Sequence, residues 1–205
     1  MSEQKAGFRG MLKLGIVLAI YSAAACVGLA FVYTATEKVI AGNKERDRIA
    51  ALTELFQDDV KFEPIPDFRS LNPAVTIEND GAFAVLKNGT VAGVAVTTSR
   101  ASYSGQIRVL VGITAQGKIS GVKILEHSDT PGLGANAASP KYFIDRPKGI
   151  HFYDQFAGKM VSDPFEPKQD VVAITAATIT SRAVSESVKA AGEAAMAWLA
   201  KGGLR

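Results

Sequence analysis

The most distinctive chemistry of this 205-residue chain lies in residues 170–184, where four hydroxyl side chains fall within seven positions. The segment opens with a β-branched run, passes through Ala176 and Ala177, and then shows apolar residues three or four apart. This pattern predicts a strand, a tight loop and the start of a helix. We expect Thr180 or Ser181 to cap that helix with its hydroxyl group. The free amides at the helix start, at the positive end of the dipole, also favour phosphate binding.

These hydroxyl groups allow two interpretations. In the first, they only satisfy the free N–H groups at the start of the helix. In the second, the small side chains of Ala176 and Ala177 allow a ligand to approach the backbone, and Thr175 and Thr178 are available to hold it. Four hydroxyls are more than capping requires, which favours a ligand.

A second constrained segment, Glu-His-Ser-Asp-Thr-Pro-Gly-Leu-Gly, occupies residues 126–134. Pro131 fixes one φ angle, while Gly132 and Gly134 permit conformations that other residues avoid. A rigid loop of this kind either uses Leu133 to cover a flat apolar ligand or is an ordinary turn with Leu133 in the core. The segment alone leaves both alternatives open.

Catalysis by side chains alone is poorly supported. His127 follows a predicted strand with no nucleophile beside it, and His151 adjoins two aromatic residues, so surface or packing roles are favoured for both. No His/Cys cluster predicts a metal, no P-loop predicts a nucleoside triphosphate, and residues 132–134 do not form a Rossmann fingerprint. Redox chemistry would therefore require a bound cofactor.

Length and composition predict one globular domain with some additional sequence. The chain is 47% apolar and 21% charged, and its formal net charge of +3 comes from basic residues spread along its length. This distribution argues against a nucleic-acid surface. A single cysteine, Cys26, leaves the remainder without the possibility of a disulfide or a cysteine metal site.

Residues 14–33 contain no charge and have the length of one membrane-spanning helix. A cleaved signal peptide and a lipoprotein site at residues 23–26 are weaker alternatives. Basic residues lie on both sides of the span, so charge does not determine its orientation. The predicted organisation is an N-terminal tail (1–13), a transmembrane helix (14–34), a membrane-proximal helix and connector (35–73) and a domain (74–205).

The domain begins with patterns typical of antiparallel strands. Asn88-Gly89 predicts a two-residue hairpin, and Gln116-Gly117 predicts a second one. Between them, apolar residues alternate along 107–113, which predicts a half-buried strand. A short helix is expected at 139–146 after Pro140, and the last helix is expected at about 182–201.

Both motifs carry a family resemblance. Thr175-Ala-Ala-Thr178 followed by Ile-Thr-Ser resembles the Ser/Thr-Gly-Ala-Thr signature of the extracytoplasmic FMN-binding domain family, with Ala176 at the usual glycine. If that position needs a positive φ angle, alanine is strained there. Thr130-Pro-Gly-Leu-Gly134 resembles the second signature of the family, with Asp129 where glutamate is more frequent. The likeness extends over about residues 81–189, and includes Tyr103-Ser-Gly105 and the segment 152–159.

The resemblance implies an α+β fold in which one N-terminal transmembrane helix precedes an FMN-binding domain with a mainly antiparallel sheet packed by helices. It also implies FMN attached covalently to Thr178 through a phosphoester bond, with Lys159 or Lys141 as the counter-charge to the phosphate. Asp170 is a candidate recognition residue for the flavin transferase that would attach FMN from FAD. The implied cofactor-binding residues are Thr178, Thr175, Ala176, Ala177, Ile179, Thr180, Ser181, Thr130, Gly132, Leu133, Gly134, Tyr103 and Lys159.

Within that family, the chain most resembles the G subunit of the Rnf complex, which couples electron transfer between ferredoxin and NAD⁺ to the movement of Na⁺ or H⁺. The resemblance implies a redox subunit that is not a complete enzyme alone and is held with other membrane and peripheral subunits in the inner membrane. It also implies that residues 1–13 form a cytoplasmic tail and that the domain lies on the extracytoplasmic side. The alternatives are the C subunit of Na⁺-translocating NADH:quinone oxidoreductase, a stand-alone membrane-anchored flavoprotein, and a membrane-tethered assembly module without redox function.

Overall fold

The N-terminal compact unit of the chain is helical. The computed structural model describes residues 2–56 and 60–203, and it separates Met1–Arg46 from Asp47–Arg205. Helix α1 runs over Ser2–Phe56, and in the first unit its apolar side chains, such as Leu18 and Phe31, are exposed. Among the described residues, α1 is the one helix long and apolar enough to cross a membrane. It contains the predicted span 14–34.

The second unit is built on a five-stranded antiparallel sheet in the simple order β1-β2-β3-β4-β5. After the sheet, a single-turn 3₁₀ segment precedes a separate hairpin of two short strands. A second single-turn 3₁₀ segment follows this hairpin, and a long helix ends the described part of the unit. The elements are β1 (Val60–Pro64), β2 (Thr76–Lys87), β3 (Thr90–Ala101), β4 (Gln106–Thr114), β5 (Ile119–Glu126), a 3₁₀ turn (Gly134–Ala137), β6 (Phe143–Asp145), β7 (Ile150–His151), a 3₁₀ turn (Asp154–Phe156) and α2 (Thr178–Ala200).

Both predicted hairpins are confirmed. Asn88 and Gly89 link β2 to β3 with φ angles of 51° and 80°, the left-handed pair that a two-residue turn between twisted strands requires. Gly117, with φ of 75°, links β4 to β5. Local turn chemistry therefore sets the register next to each turn, and irregularities shift it further along both the β2–β3 and the β4–β5 pairs.

Both faces of the sheet are covered. Val109 and Val111 point into the main core against α2, whereas Leu110 points to the opposite face and packs with Ala51 and Leu52 from the end of α1. The prediction of a half-buried strand at 107–113 is therefore wrong in its centre, where Leu110 is completely buried. The sequence alternates correctly, but a helix covers the second face as well.

Paired glycines allow the end of α1 to approach the sheet closely. Gly112 on β4 lies opposite Gly121 on β5. A Cβ atom at Gly121 would lie 2.7 Å from Cδ2 of Leu55, and one at Gly112 would lie 3.0 Å from the ring of Phe56. The glycines thus leave space for Leu55 and Phe56.

Two element boundaries and one element type differ from the sequence predictions. Strand β1 lies in the segment predicted as a connector, so the compact unit begins at Asp47 instead of residue 74. The helix predicted at 139–146 is wrong, because this region forms β6 and pairs with β7, with the rings of Phe143 and His151 stacked 4.4 Å apart. Helix α2 begins at Thr178, one turn before the predicted start at 182.

Candidate functional site

A cavity of about 460 Å³ lies where the loop after β5 meets the start of α2. Its walls come from three segments that are distant in sequence: the turn between β3 and β4, the loop 129–134, and residues 176–180. Of the residues that the sequence predicts for a cofactor site, the following line this cavity: Tyr103, Thr130, Leu133, Gly134, Ala176, Ala177, Thr178, Ile179 and Thr180.

Thr178 is the first residue of α2 and its side chain is exposed. The residue before it, Ala177, occupies the capping position and provides no side-chain hydrogen bond to the helix. The prediction that Thr180 or Ser181 caps α2 is therefore wrong, since both residues lie inside the first turn. The amide groups of that turn stay available to a ligand beside Thr178.

The hydroxyl groups of Thr180 and Ser181 have internal partners. The Ser181 hydroxyl accepts a hydrogen bond from the Ile174 amide at 2.9 Å and donates one to the Ala177 carbonyl at 3.0 Å. The Thr180 hydroxyl donates to Oδ2 of Asp129 at 2.8 Å. Thr180 and Ser181 are both buried, and their hydroxyl groups stabilise the segments around the start of α2. We therefore assign these hydroxyls a structural role.

Ala176 adopts a left-handed backbone conformation, with φ of 59°. A non-glycine residue in this region is disfavoured by roughly 1–2 kcal/mol, because its Cβ atom crowds the following carbonyl oxygen. The positive φ angle agrees with the strain expected for an alanine in place of the usual glycine. The sharp bend at Ala176 brings the chain from residues 168–175 into the start of α2.

Asp129 lines the cavity, is only 5% exposed and joins three segments of the chain. Its Oδ2 accepts hydrogen bonds from the hydroxyls of Ser102 at 2.5 Å and Thr180 at 2.8 Å, while Oδ1 accepts one from the Ser104 amide at 2.9 Å. Burial alone would raise the pKa of Asp129, but these three donors and the nearby His127 together lower the pKa below its ordinary value. The carboxylate is therefore ionised at neutral pH.

The loop 130–134 presents its apolar side chain to the cavity. Leu133 is 42% exposed, so the alternative that places it in the core is wrong. Gly132 has φ of 79°, and a Cβ atom at Gly134 would lie 2.5 Å from Oγ1 of Thr180. Across the cavity, Tyr103 is 70% exposed. Gly132 is therefore favoured by its backbone conformation, and Gly134 is favoured because a larger residue would collide with Thr180.

Four predicted residues lie outside the lining of this cavity. Thr175 borders an adjacent groove along 168–178, which also includes Ala176 and Thr178. Gly132 and Ser181 line neither this cavity nor the adjacent groove, and Ser181 is completely buried. Lys159 pairs with Asp170 at 3.0 Å and lines another groove with it, so it is not grouped with Thr178.

Asp170 is occupied by structural contacts. Besides Lys159, it accepts hydrogen bonds from the backbone amides of Phe165 and Glu166. Burial of Asp170 acts to raise its pKa, and the hydrogen bonds and Lys159 lower it further than burial raises it. These contacts explain the position of Asp170 as a support for the segment that leads to Thr178. Lys141 is exposed near the start of β6.

The structure adds two arginines that sequence patterns did not indicate. Arg100 and Arg182 line a small cavity of about 180 Å³ together with Thr178 and Ile179. Arg182 is exposed and lies four residues after Thr178, hence on the same side of α2. Arg100 pairs with Glu186. The helical spacing would have indicated Arg182 if the start of α2 had been predicted correctly.

The two histidines have no catalytic arrangement. Nδ1 of His151 lies 3.1 Å from the Tyr142 carbonyl oxygen, and its ring stacks on Phe143 and on Tyr153. Nδ1 of His127 is buried without a hydrogen-bond partner among the described residues. Among residues 2–56 and 60–203, which the structure describes, no group of three or more His, Cys, Asp or Glu side chains could hold a metal ion.

Comparison with known proteins gives consistent relationships. The FMN-binding domain family matches residues 102–193. The chain is 31% identical over 193 residues to the G subunit of the Na⁺-translocating ferredoxin:NAD⁺ oxidoreductase complex of Acetobacterium woodii, with 87% of this chain and 88% of the relative covered. It is 33% identical over 167 residues to the G subunit of the proton-translocating ferredoxin:NAD⁺ oxidoreductase complex of Clostridium ljungdahlii, with 80% of each covered.

A further relative, the G subunit of the ion-translocating oxidoreductase complex of Methanosarcina acetivorans, is 29% identical over 188 residues, covering 87% of this chain and 91% of the relative. The crystal structure of Shewanella oneidensis NqrC is similar with a TM-score of 0.45 and 21% identity, covering 66% of this chain and 79% of that one. The identity and coverage of the relatives establish that this chain belongs to the family of G subunits of ion-translocating oxidoreductase complexes.

Proposed function

We propose that this chain is the electron-relaying G subunit of an Rnf-type ion-translocating ferredoxin:NAD⁺ oxidoreductase complex, and that it carries FMN bonded to Oγ1 of Thr178. One observation carries the proposal: two motifs about 45 residues apart in the chain, 130–134 and 175–181, meet at one cavity with an exposed threonine hydroxyl on its border. The family membership accounts for the complex, and the cavity accounts for the cofactor.

The phosphate end of FMN fits the border of the cavity at Thr178. Helix α2 begins there without a side-chain cap, so its first amides and its dipole favour a negatively charged group. Arg182, one turn along the helix, adds positive charge on the same side. This arrangement replaces Lys159 as the counter-charge, because Lys159 is paired with Asp170.

The ring end of FMN fits the cavity itself. Leu133, Tyr103 and Ile179 provide partly exposed apolar surface on its walls, as a flat aromatic ring requires. The small side chains of Ala176 and Ala177 would leave room for the cofactor beside Thr178. When bound, FMN supplies the one- and two-electron redox chemistry that the side chains lack.

In the proposed attachment, a flavin transferase uses FAD as the donor. A new bond forms between Oγ1 of Thr178 and the FMN phosphorus, the pyrophosphate bond of FAD breaks, AMP leaves, and the hydroxyl proton is released. A covalent bond removes cofactor dissociation, which matters on the extracytoplasmic side, where little free FMN is available to refill the cavity. The remaining work of the chain is to position the ring and to set its electrostatic surroundings.

The attachment is tested by co-expression of the full chain with a flavin transferase. We expect an intact mass larger by one FMN less one water, and fluorescence of the denatured band under ultraviolet light. Thr178→Val should lose both signals, because valine keeps the shape and removes the oxygen. Thr175→Val is the matched control, since Thr175 is exposed three residues earlier, and it should keep both signals. A fluorescent Thr178→Val band would place the bond elsewhere.

Assembly is tested by affinity purification of the native chain from membranes. Co-purification of several other membrane and peripheral subunits supports the complex, and recovery of the flavinylated chain alone supports a stand-alone flavoprotein.

The chain is anchored by a single membrane-spanning helix, and we place its domain on the extracytoplasmic side. A cysteine at exposed Lys141, in a chain with Cys26→Ala, should react with an impermeant maleimide in intact spheroplasts. Labelling only after lysis would reverse the topology.

A further inference from the structure

We infer that Asp129 supplies a permanent negative charge to the FMN cavity and thereby holds the reduction potential of the bound flavin at a lower value. The inference rests on the proposed function, because it needs a flavin in the cavity that Asp129 lines. It assigns an electrostatic role to a residue whose contacts otherwise resemble those of a purely structural tie.

The position of Asp129 supports this role. It is a member of the cavity wall, between Thr130 and the start of α2, although only 5% of it is exposed. Water therefore screens its charge poorly on the side of the cavity. Gly134 contributes to the close arrangement, because its missing side chain leaves the space in which Asp129 and Thr180 meet.

The contacts of Asp129 stabilise the charge without neutralising it. All three direct partners are uncharged donors: the hydroxyls of Ser102 and Thr180, and the amide of Ser104. None of the salt bridges in the described residues 2–56 and 60–203 involves Asp129. His127 is the titratable group that acts on Asp129 through its charge.

A structural tie at this position does not require a charge. Oδ1 accepts the backbone hydrogen bond from Ser104, while Oδ2 accepts only from the two hydroxyls. An asparagine would keep its carbonyl oxygen toward Ser104 and direct its two amide hydrogens toward hydroxyl oxygens, which can accept as well as donate. The three segments would remain joined. The carboxylate therefore adds a feature that the joint itself does not need.

The consequence for the flavin follows from electrostatics. Each electron that the ring takes up adds negative charge to it, and a fixed carboxylate nearby opposes that addition. The oxidised ring, which is neutral, is affected less. Asp129 thus favours the oxidised cofactor and lowers its reduction potential.

The test is a spectroelectrochemical titration of the flavin-loaded full chain in detergent at neutral pH, with four matched proteins. Asp129→Asn removes the charge and keeps the size, and its midpoint potential should become more positive. Asp129→Glu keeps the charge and should remain near the parent value. Ser102→Ala removes one hydrogen bond to the carboxylate while keeping the charge, so its potential should stay unchanged or become more negative. Ser102 does not line the cavity.

The outcomes separate this inference from the proposed function. Intact mass is measured first, and a parent chain without flavin contradicts both. A flavinylated set in which Asp129→Asn has the parent potential contradicts only the role of Asp129. Shifts of Asp129→Asn and Ser102→Ala in the same direction also contradict it, because they indicate loosening of the joint. If Asp129→Asn retains no flavin, Ser102→Ala still decides, since a positive shift there overturns the inference.

Discussion

The central hairpins of the domain and the wall of the cavity follow opposite local rules. In strands β3 to β5, the turn residues have the φ angles that their types prefer, and the side chains alternate between two buried faces. At the cavity, Ala176 takes a left-handed conformation, Asp129 is charged and buried, and α2 begins without a side-chain cap. The turns of the first region follow the backbone preferences of their residue types, whereas Ala176 and the start of α2 depart from such preferences.

The ligand-binding role that we propose for the cavity accounts for this difference. Strained backbone and exposed apolar side chains such as Ile179 each oppose stability. They persist at the cavity because the surrounding sheet and α2 hold them in place. We therefore expect changes in the hairpins to affect folding and changes at the cavity to affect the cofactor.

The largest effect is expected from Leu110→Ala. Leu110 is completely buried on the face of the sheet that packs against Ala51 and Leu52. Truncation of such a residue costs about 2–5 kcal/mol in the free energy of unfolding. Urea denaturation of the full chain in detergent, followed by circular dichroism, measures this loss. The folded fraction should still carry flavin, and a mutant of parent stability would contradict the assignment of the second core.

The next effect is expected from Gly134→Ala. The added Cβ atom would lie 2.5 Å from Oγ1 of Thr180 and 2.7 Å from Cβ of Asp129, so the loop and helix must separate. We expect a loss of about 1–3 kcal/mol in unfolding free energy, together with reduced flavin loading, since crowding in packed regions forces shifts. Gly132→Ala separates backbone strain from crowding, because its Cβ would meet open space while its φ of 79° is unfavourable for alanine. It should therefore lose stability and keep its flavin loading. Equal loading defects in both mutants would contradict the steric explanation.

A smaller effect concerns acid stability. The pKa of Asp129 is lower in the folded chain than its ordinary value of 3.8, so the unfolded chain binds more protons near that pH. Stability from Asp129 is therefore present above about pH 4 and is lost as pH falls through the lower folded pKa. Urea midpoints measured from pH 6 downward should fall less steeply in Asp129→Asn than in the parent chain. Asp170 remains in both proteins and gives the common slope.

The sequence predicts the hairpins well because their signals are local. Asn88-Gly89 and Gly117 define turns that need no information from the remainder of the chain. The second buried face could not be predicted in this way, because Leu110 alternates as a strand residue should, whatever covers it. Its partner comes from the end of α1, more than 50 residues earlier.

At the cavity, the motifs predict which residues meet but not how their side chains are used. Thr180 and Ser181 have the residue types of helix caps, yet their hydroxyls bind Asp129 and the Ile174 amide. These contacts depend on distances between segments that sequence patterns do not contain. Because the start of α2 was predicted at residue 182 instead of Thr178, the sequence did not indicate that Thr178 and Arg182 lie on the same side of one helix.

The smallest effect is expected from Ala176→Gly, and its sign is the informative part. Ala176 has φ of 59°, where glycine is free of the crowding that an alanine Cβ atom causes. Glycine also increases the entropy of the unfolded chain, so the net gain in unfolding free energy should be below about 1 kcal/mol. Ala177→Gly is the matched control with φ of −134°, where glycine relieves no strain and should destabilise slightly. Urea denaturation of the two mutants should therefore shift in opposite directions, and a loss of stability in both would show that Ala176 is not strained.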